Sequence, residues 1–181
     1  DFTSFGNSSH LSIIIPALNE EKYISLLLDS IRTQGFDDYE VIVADAGSED
    51  KTVQITKGYQ YKVIKGGLPA KGRNEGAKVS QGDLFLFLDA DVVLPEHFLE
   101  KTLKEFHERS LDVASFRMIP LPLQMFSSVF MNIFYNEPII FLETILPHAA
   151  VGILIKKDFF DSVGGFDEDI TLAEDHYLAR R

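Results

Sequence analysis

The chain has 181 residues, 45% of them hydrophobic and 25% charged. That is the size of one domain at the usual ~100–200 residues and the balance of an ordinary globular core, which excludes disordered and fibrous classes. Lys and Arg number 17 against 28 Asp and Glu, a formal charge of −11 that repels polyanions and argues against a nucleic-acid partner. The absence of Cys removes disulfides, thiolate metal sites and a cysteine nucleophile, and fits the reducing cytoplasm.

Residues 1 to 10 are polar, lack a basic region and do not open on Met, so they read as a disordered or processed start rather than a signal peptide. Leu11-Ser12-Ile13-Ile14-Ile15 is an apolar run of buried-strand type, closed by Pro16. Asn19 stands where a helix N-cap is expected, and Ile24, Leu27, Leu28 and Ile31 follow at the spacing of one helical face. Glu40 to Ala44 predicts a second strand, Asp45-Ala46-Gly47-Ser48 a turn, Thr52 to Lys57 a short helix and Tyr61 to Ile64 a third strand. Gly66 to Asn74 reads as a loop with backbone freedom and two cations, Lys71 and Arg73. Leu84 to Leu88, apolar at every position, is the clearest strand, buried on both faces. The alternation predicts an α/β fold: a parallel sheet flanked by helices.

Beyond the sheet, Pro95 opens a helix with Phe98, Leu99, Thr102, Leu103 and Phe106 on one face, and Asp112 to Phe116 returns as a strand. Residues 118 to 155 then carry only two charges, Glu137 and Glu143. Pro120, Pro122 and Pro138 break this stretch, so it does not span a membrane. On a helix over 123 to 136, Phe126, Phe130 and Phe134 share a face, which reads either as core packing or as a peripheral membrane or lipid-acceptor surface. The chain stops at Arg181 inside what reads as the opening of a helix, so the natural protein is expected to continue.

Ligands of open parallel sheets gather outside the carboxyl ends of the strands, which directs attention to Asn19-Glu20, Asp45, Lys71 to Asn74 and Asp89-Ala90-Asp91. If the chain stays extended, Asp89 and Asp91 project to one side across the small Ala90 and can face one hard cation, Mg²⁺ or Mn²⁺, whose other positions go to water and phosphate. Arg73 and Lys71 can meet phosphate or carbonyl oxygens, or simply open a solvated helix. Asp45 can accept from a nucleobase or ribose, or close its own Asx-turn. His148 and His176 read as structural. Walker and Rossmann glycine spacings are absent.

Five blocks in order resemble family 2 glycosyltransferases: Ser12 to Glu21, Glu40 to Thr52, Gly72 to Ala77, Phe87 to Asp91, and Gly152 to Lys157 with Val163-Gly164-Gly165-Phe166-Asp167-Glu168 and Glu174-Asp175. The resemblance covers roughly residues 11 to 181. It implies an A-type glycosyltransferase fold, a Rossmann-like, mostly parallel sheet, in one catalytic domain with a nucleotide-binding half (11–91) and an acceptor half (92–181). It implies a nucleoside-diphosphate sugar donor of UDP or GDP type and an inverting transfer. By position, Pro16, Ala17, Asn19 and Glu20 would line base and ribose, and Asp45 and Arg73 would contact the base. Asp89 would meet ribose or metal, Asp91 the metal, and Lys71 and Ala90 belong to the same donor set. Asp175 would be the catalytic base. Ala46 stands where the family often has a second acid.

The chemistry is coherent: a metal neutralises the leaving diphosphate while a carboxylate deprotonates the attacking hydroxyl. The acceptor is left between a polyprenyl-phosphate lipid and a glycan, with the enzyme at the cytoplasmic membrane face. Two alternatives stay open, a nucleotidyltransferase making the sugar nucleotide and a non-catalytic nucleotide- or sugar-binding module.

Overall fold

A computed structural model describes residues 10–116 and 152–169. Six strands form one sheet in the order β3-β2-β1-β4-β6-β5. They are β1 (Leu11–Ala17), β2 (Tyr39–Asp45), β3 (Lys62–Lys65), β4 (Leu84–Leu88), β5 (Val113–Ser115) and β6 (Gly152–Lys156). The helices are α1 (Ile24–Arg32), α2 (Thr52–Gly58), α3 (Pro69–Val79), α4 (Phe98–Glu108) and, after β6, α5 (Lys157–Ser162). β1 pairs in parallel with β2 and β4, and β2 with β3. β6 runs antiparallel to both β4 and β5. The expected mostly parallel α/β sheet is therefore present, with one reversed strand inserted beyond β4.

The two central strands, β1 and β4, are almost wholly apolar because each face meets a helix layer, and the exception, buried Ser12, donates its hydroxyl to Glu40 Oε1. Ile13 and Ile15 of β1 pack with Leu27 and Ile31 of α1 and Leu99, Leu103 and Phe106 of α4. Ile14, on the opposite face, joins Phe85 and Phe87 of β4, Ala70 and Ala77 of α3, and Phe160 of α5. The helical stripe predicted from Ile24 to Ile31 is buried as its spacing requires. Among the described residues no helix is long and apolar enough to cross a membrane.

Three local expectations need correction. Asn19 does not cap α1: it takes φ 57°, a turn intervenes in which the Tyr23 and Ile24 amides donate to the Glu20 carbonyl, and the helix starts at Ile24. Residues from Pro69 onward are helix rather than loop, so Lys71, Arg73 and Asn74 lie on α3. α4 starts at Phe98, three residues past Pro95, whose carbonyl accepts the Phe98 amide. Gly152 to Lys156, quoted above without an assigned element, is a core strand. The greasy stretch from 118 to 151, with Phe126, Phe130 and Phe134, lies outside the described residues, as do His148, Glu174, Asp175 and His176.

Candidate functional site

The strand order carries the chain outward from β1 to β2 and β3, then back across to β4 on the other side of β1. That reversal makes the carboxyl ends of β1 and β4 a topological switch point, where the loops diverge and leave a crevice. Pro16 and Ala17 end β1 in register with Ala44 and Asp45. β1 also pairs in parallel with β4, and the charges of Asp89 and Asp91 act on Glu20, so the loop from Leu18 to Glu20 lies beside the segment Asp89-Ala90-Asp91 that leaves β4.

Two loops are welded beside this point. The Ala46 amide donates to the Ala17 carbonyl at 2.9 Å. The Asn19 amide donates to Ser48 Oγ at 2.9 Å, and Asn19 Oδ1 accepts the Glu49 amide at 2.9 Å. The Glu20 amide donates to Thr52 Oγ1 at 2.7 Å, and the Glu21 amide to Asp50 Oδ2 at 3.0 Å. Asn19 thus spends its acceptor on structure, and its left-handed backbone is one that Asn tolerates better than most residues. Asp45 forms the Asx-turn considered above, accepting the Gly47 and Ser48 amides at 3.0 and 3.1 Å. Both of its carboxylate oxygens are engaged with its own loop, Oδ2 by both amides and Oδ1 by the Ser48 amide at 3.3 Å, so Oδ1 is the oxygen that keeps a further lone pair.

Arg73 is not a solvated helix residue: its side chain is 10% exposed and its Nη2 lies 2.7 Å from Asp89 Oδ1. It comes down there because α3 lies flat on β1 and β2 through small residues. A Cβ on Gly72 would touch Pro16, and one on Gly76 would fall inside the van der Waals shell of Ile14 Cγ2. A buried guanidinium needs a paired anion, and the half-exposed Asp89 supplies it. The guanidinium also sits 5.3 Å from the centre of the Phe166 ring. Lys71, two residues earlier and so on the opposite side of α3, is exposed.

Asp89 and Asp91 are not on an extended segment, since the chain bends into a turn at Ala90, which is buried. Asp91 is exposed and makes no hydrogen bond or ion pair among the described residues. Glu20 reports their proximity: its carboxyl is held above its ordinary value, first by burial and then by Asp91, Asp50 and Asp89. Asp50 itself is pushed up by burial, but hydrogen bonds from the Thr52 hydroxyl and from nearby amides outweigh this and hold it below its ordinary value.

The fit to Mg²⁺ or Mn²⁺ follows from that acid patch. Among the described residues no three acids or histidines converge as a ready ligand set, so an all-protein cage is absent. Mg²⁺-type sites commonly use one or two carboxylates and complete the shell with water and phosphate. With Asp89 tied to Arg73, exposed Asp91 is the carboxylate best placed to meet such an ion, and the unrelieved charge around Glu20 favours a cation there. Asn74, Gly165, Phe166 and Thr52 were given no roles by sequence reasoning. The adjacency of Asn74 to Arg73 and the Gly164-Gly165-Phe166 run were the signals available.

The mostly parallel sheet covered by helices on both faces, with polar loops gathered at the switch point of β1 and β4, is the α/β architecture of the A-type glycosyltransferase fold. The family model "Glycosyl transferase family 2" matches residues 12–121, and the chain belongs to that family. It is 29% identical over 186 residues to poly(ribitol-phosphate) beta-N-acetylglucosaminyltransferase TarS of Staphylococcus aureus, covering 94% of this chain and 32% of TarS. An uncharacterized glycosyltransferase of Haemophilus influenzae is 31% identical over 181 residues, covering 92% of this chain and 59% of that protein. The crystal structure of TarS residues 1–349 in complex with UDP-GlcNAc superposes with a TM-score of 0.69 at 26% identity, covering 93% of this chain and 52% of that one. The chain thus spans between a third and three-fifths of the length of these curated relatives. Family membership sets the nucleotidyltransferase alternative aside.

Proposed function

We propose that this chain is the catalytic unit of an inverting glycosyltransferase that takes a sugar from a UDP- or GDP-type donor and places it on an acceptor hydroxyl. Residues 11–91 serve the donor and residues 92–181 the acceptor. The observation that carries the reading is the Arg73–Asp89 pair at the switch point, with Asp91 exposed beside it and Glu20 pressed by the same acids. Family membership and the UDP-GlcNAc complex of TarS support a nucleotide-sugar donor.

In this reading Pro16, Ala17, Asn19, Glu20 and Asp45 form the wall against base and ribose, with Asn19 acting by holding the two loops together. Arg73, held beside Asp89, contacts the base, and Lys71 screens the diphosphate at the rim. Ala90 keeps the turn between the two acids narrow. Asp91, with Asp89, holds the divalent cation, which when bound neutralises the diphosphate as it leaves. Asp175 takes the proton from the acceptor hydroxyl as it attacks. The acceptor is a hydroxyl on a glycan or on a polyprenyl-phosphate lipid at the cytoplasmic membrane face.

Calorimetric titration of UDP and GDP, with and without Mn²⁺, tests the donor site. One nucleotide is expected to bind with strong metal dependence, and Asp91→Ala to abolish that dependence. Asp175→Asn is expected to keep donor binding while transfer falls roughly 10²–10⁴-fold. A wild-type chain that ignores both nucleotides, or an Asp91→Ala variant with unchanged metal dependence, refutes the assignment.

A further inference from the structure

We propose that Asn74 and Phe166 are positioning residues that fasten the loop after α5 to the Arg73–Asp89 pair, so that the donor-side acid and this loop of the acceptor half hold a single pose. The inference rests on the reading of the switch point as a nucleotide-sugar site.

The side chain of Asn74 is used as a two-way backbone clamp. Its Nδ2 donates to the Phe166 carbonyl at 2.9 Å, and its Oδ1 accepts the Phe166 amide at 3.0 Å. The same Nδ2 also donates to Glu168 Oε1 at 3.0 Å. Both main-chain groups of one residue, 92 positions away, are thereby satisfied by one amide. The loop is shaped to reach it. Gly165 has φ 72°, and a Cβ there would lie 2.9 Å from Asn74 Oδ1.

The residue so clamped is the one whose ring faces the guanidinium of Arg73. Phe166 is 3% exposed and wedged edge-on against Phe87, with Phe160 tilted beside it. The ring therefore has no freedom to slide while the clamp holds. On its other side the guanidinium meets Asp89. The chain of contacts runs Asn74, Phe166, Arg73, Asp89, and each member fixes the next. Burying Phe166 for stability alone would need the ring but not a side-chain amide spent on its backbone next door to Arg73. Gly165-Phe166-Asp167-Glu168 then leads directly into residues 170–181, which hold Asp175.

The test is a double-substitution cycle read by calorimetry with UDP and GDP in Mn²⁺, alongside thermal unfolding. Asn74→Ala is expected to weaken nucleotide binding roughly tenfold in the native background, within the range for coupled neighbours. In an Arg73→Gln background the same substitution is expected to change affinity less than about twofold, because the residue it acts through is gone. Its cost to thermal stability should be similar in both backgrounds. Phe166→Leu, which keeps apolar volume but removes the ring face, should repeat the pattern and serves if Asn74→Ala does not fold. Affinity that is unchanged, or that falls equally in both backgrounds, overturns the positioning role while leaving the donor site intact. A wild-type chain that binds neither nucleotide overturns the donor site and this inference together.

Discussion

Gly76 sets how deeply α3 sits on the sheet, and Gly76→Ala puts two physical effects in direct opposition. Ala is favoured over Gly in a helix interior by about 1 kcal/mol, so propensity alone predicts a more stable protein. The added methyl, however, would overlap Ile14 Cγ2. Ile14 is wholly buried in β1, which is paired on both sides, by β2 and β4, so it cannot retreat. Overpacking of this kind costs ~1–3 kcal/mol, and an overlap with a fixed neighbour belongs at the upper end. The net expectation is a loss of ~1–2 kcal/mol, or a Tm lower by roughly 3–6 °C for a chain of this size. Lifting α3 also moves Arg73, three residues earlier on the same buried face, away from Asp89. Urea unfolding measures the stability. The sharper readout is the sign in an Ile14→Ala background, where the methyl fills vacated space and Gly76→Ala becomes neutral or stabilising. Stabilisation of the native background, or an equal loss in both, would refute the packing argument.

Asn19→Ala removes the acceptor of the Glu49 amide and forces Ala into a left-handed backbone, so a loss of ~1–2 kcal/mol is expected, measured by urea unfolding. Asn19→Gly, which keeps the backbone conformation accessible, should lose less. Glu20→Gln addresses the raised carboxyl. A folded-state pKa above the ordinary 4.5 means that the folded chain binds more protons than the unfolded one, so stability falls as pH rises through that window. Glu20→Gln should therefore raise stability at pH 7, by no more than ~1 kcal/mol for a partly solvated group, seen as a higher Tm. The gain should vanish below pH 4 and shrink when Mn²⁺ is added.

Local pattern made most of the sheet legible for a physical reason. Leu84 to Leu88 is apolar at every position because helices cover both faces of β4, and Ile24 to Ile31 shows one stripe because α1 meets the sheet on one side only. The same logic could not read the partners of Gly152 to Lys156. Its apolar run marks a buried strand, but direction and neighbours are fixed by pairing with residues about seventy positions away. Lys71 to Asn74 resembled a loop because Gly72 and Gly76 weaken helix propensity by about 1 kcal/mol each. Close seating on β1 overrides that preference, and the burial of Arg73 is visible only once the seat is known. Fifteen Phe had no meaning in the sequence. Four of them, Phe85, Phe87, Phe160 and Phe166, form one nest of edge-to-face and tilted rings under α3. The proposed base Asp175 was legible only through family resemblance and lies outside the described residues.

The charge of the site predicts a salt dependence of donor binding whose sign turns with the divalent cation. Three acids, Asp91, Asp50 and Asp89, press on a fourth, Glu20, and Arg73, the buried arginine among the described residues, is already paired with Asp89. The chain as a whole carries −11. A nucleoside diphosphate approaching without a divalent cation therefore meets net repulsion, on the order of 1 kcal/mol for each like-charge pair at ~4 Å in water. Salt shortens the reach of that repulsion to about 10 Å at 0.1 M and to about 3 Å at 1 M. Without divalent metal, then, raising NaCl should strengthen the weak binding of UDP or GDP. With saturating Mn²⁺ the local sign reverses, attraction now brings the diphosphate in, and the same salt should weaken binding. Calorimetry at several NaCl concentrations, with and without Mn²⁺, reads the two slopes directly. Slopes of the same sign in both conditions would show that the acid patch is not what makes the donor depend on a cation.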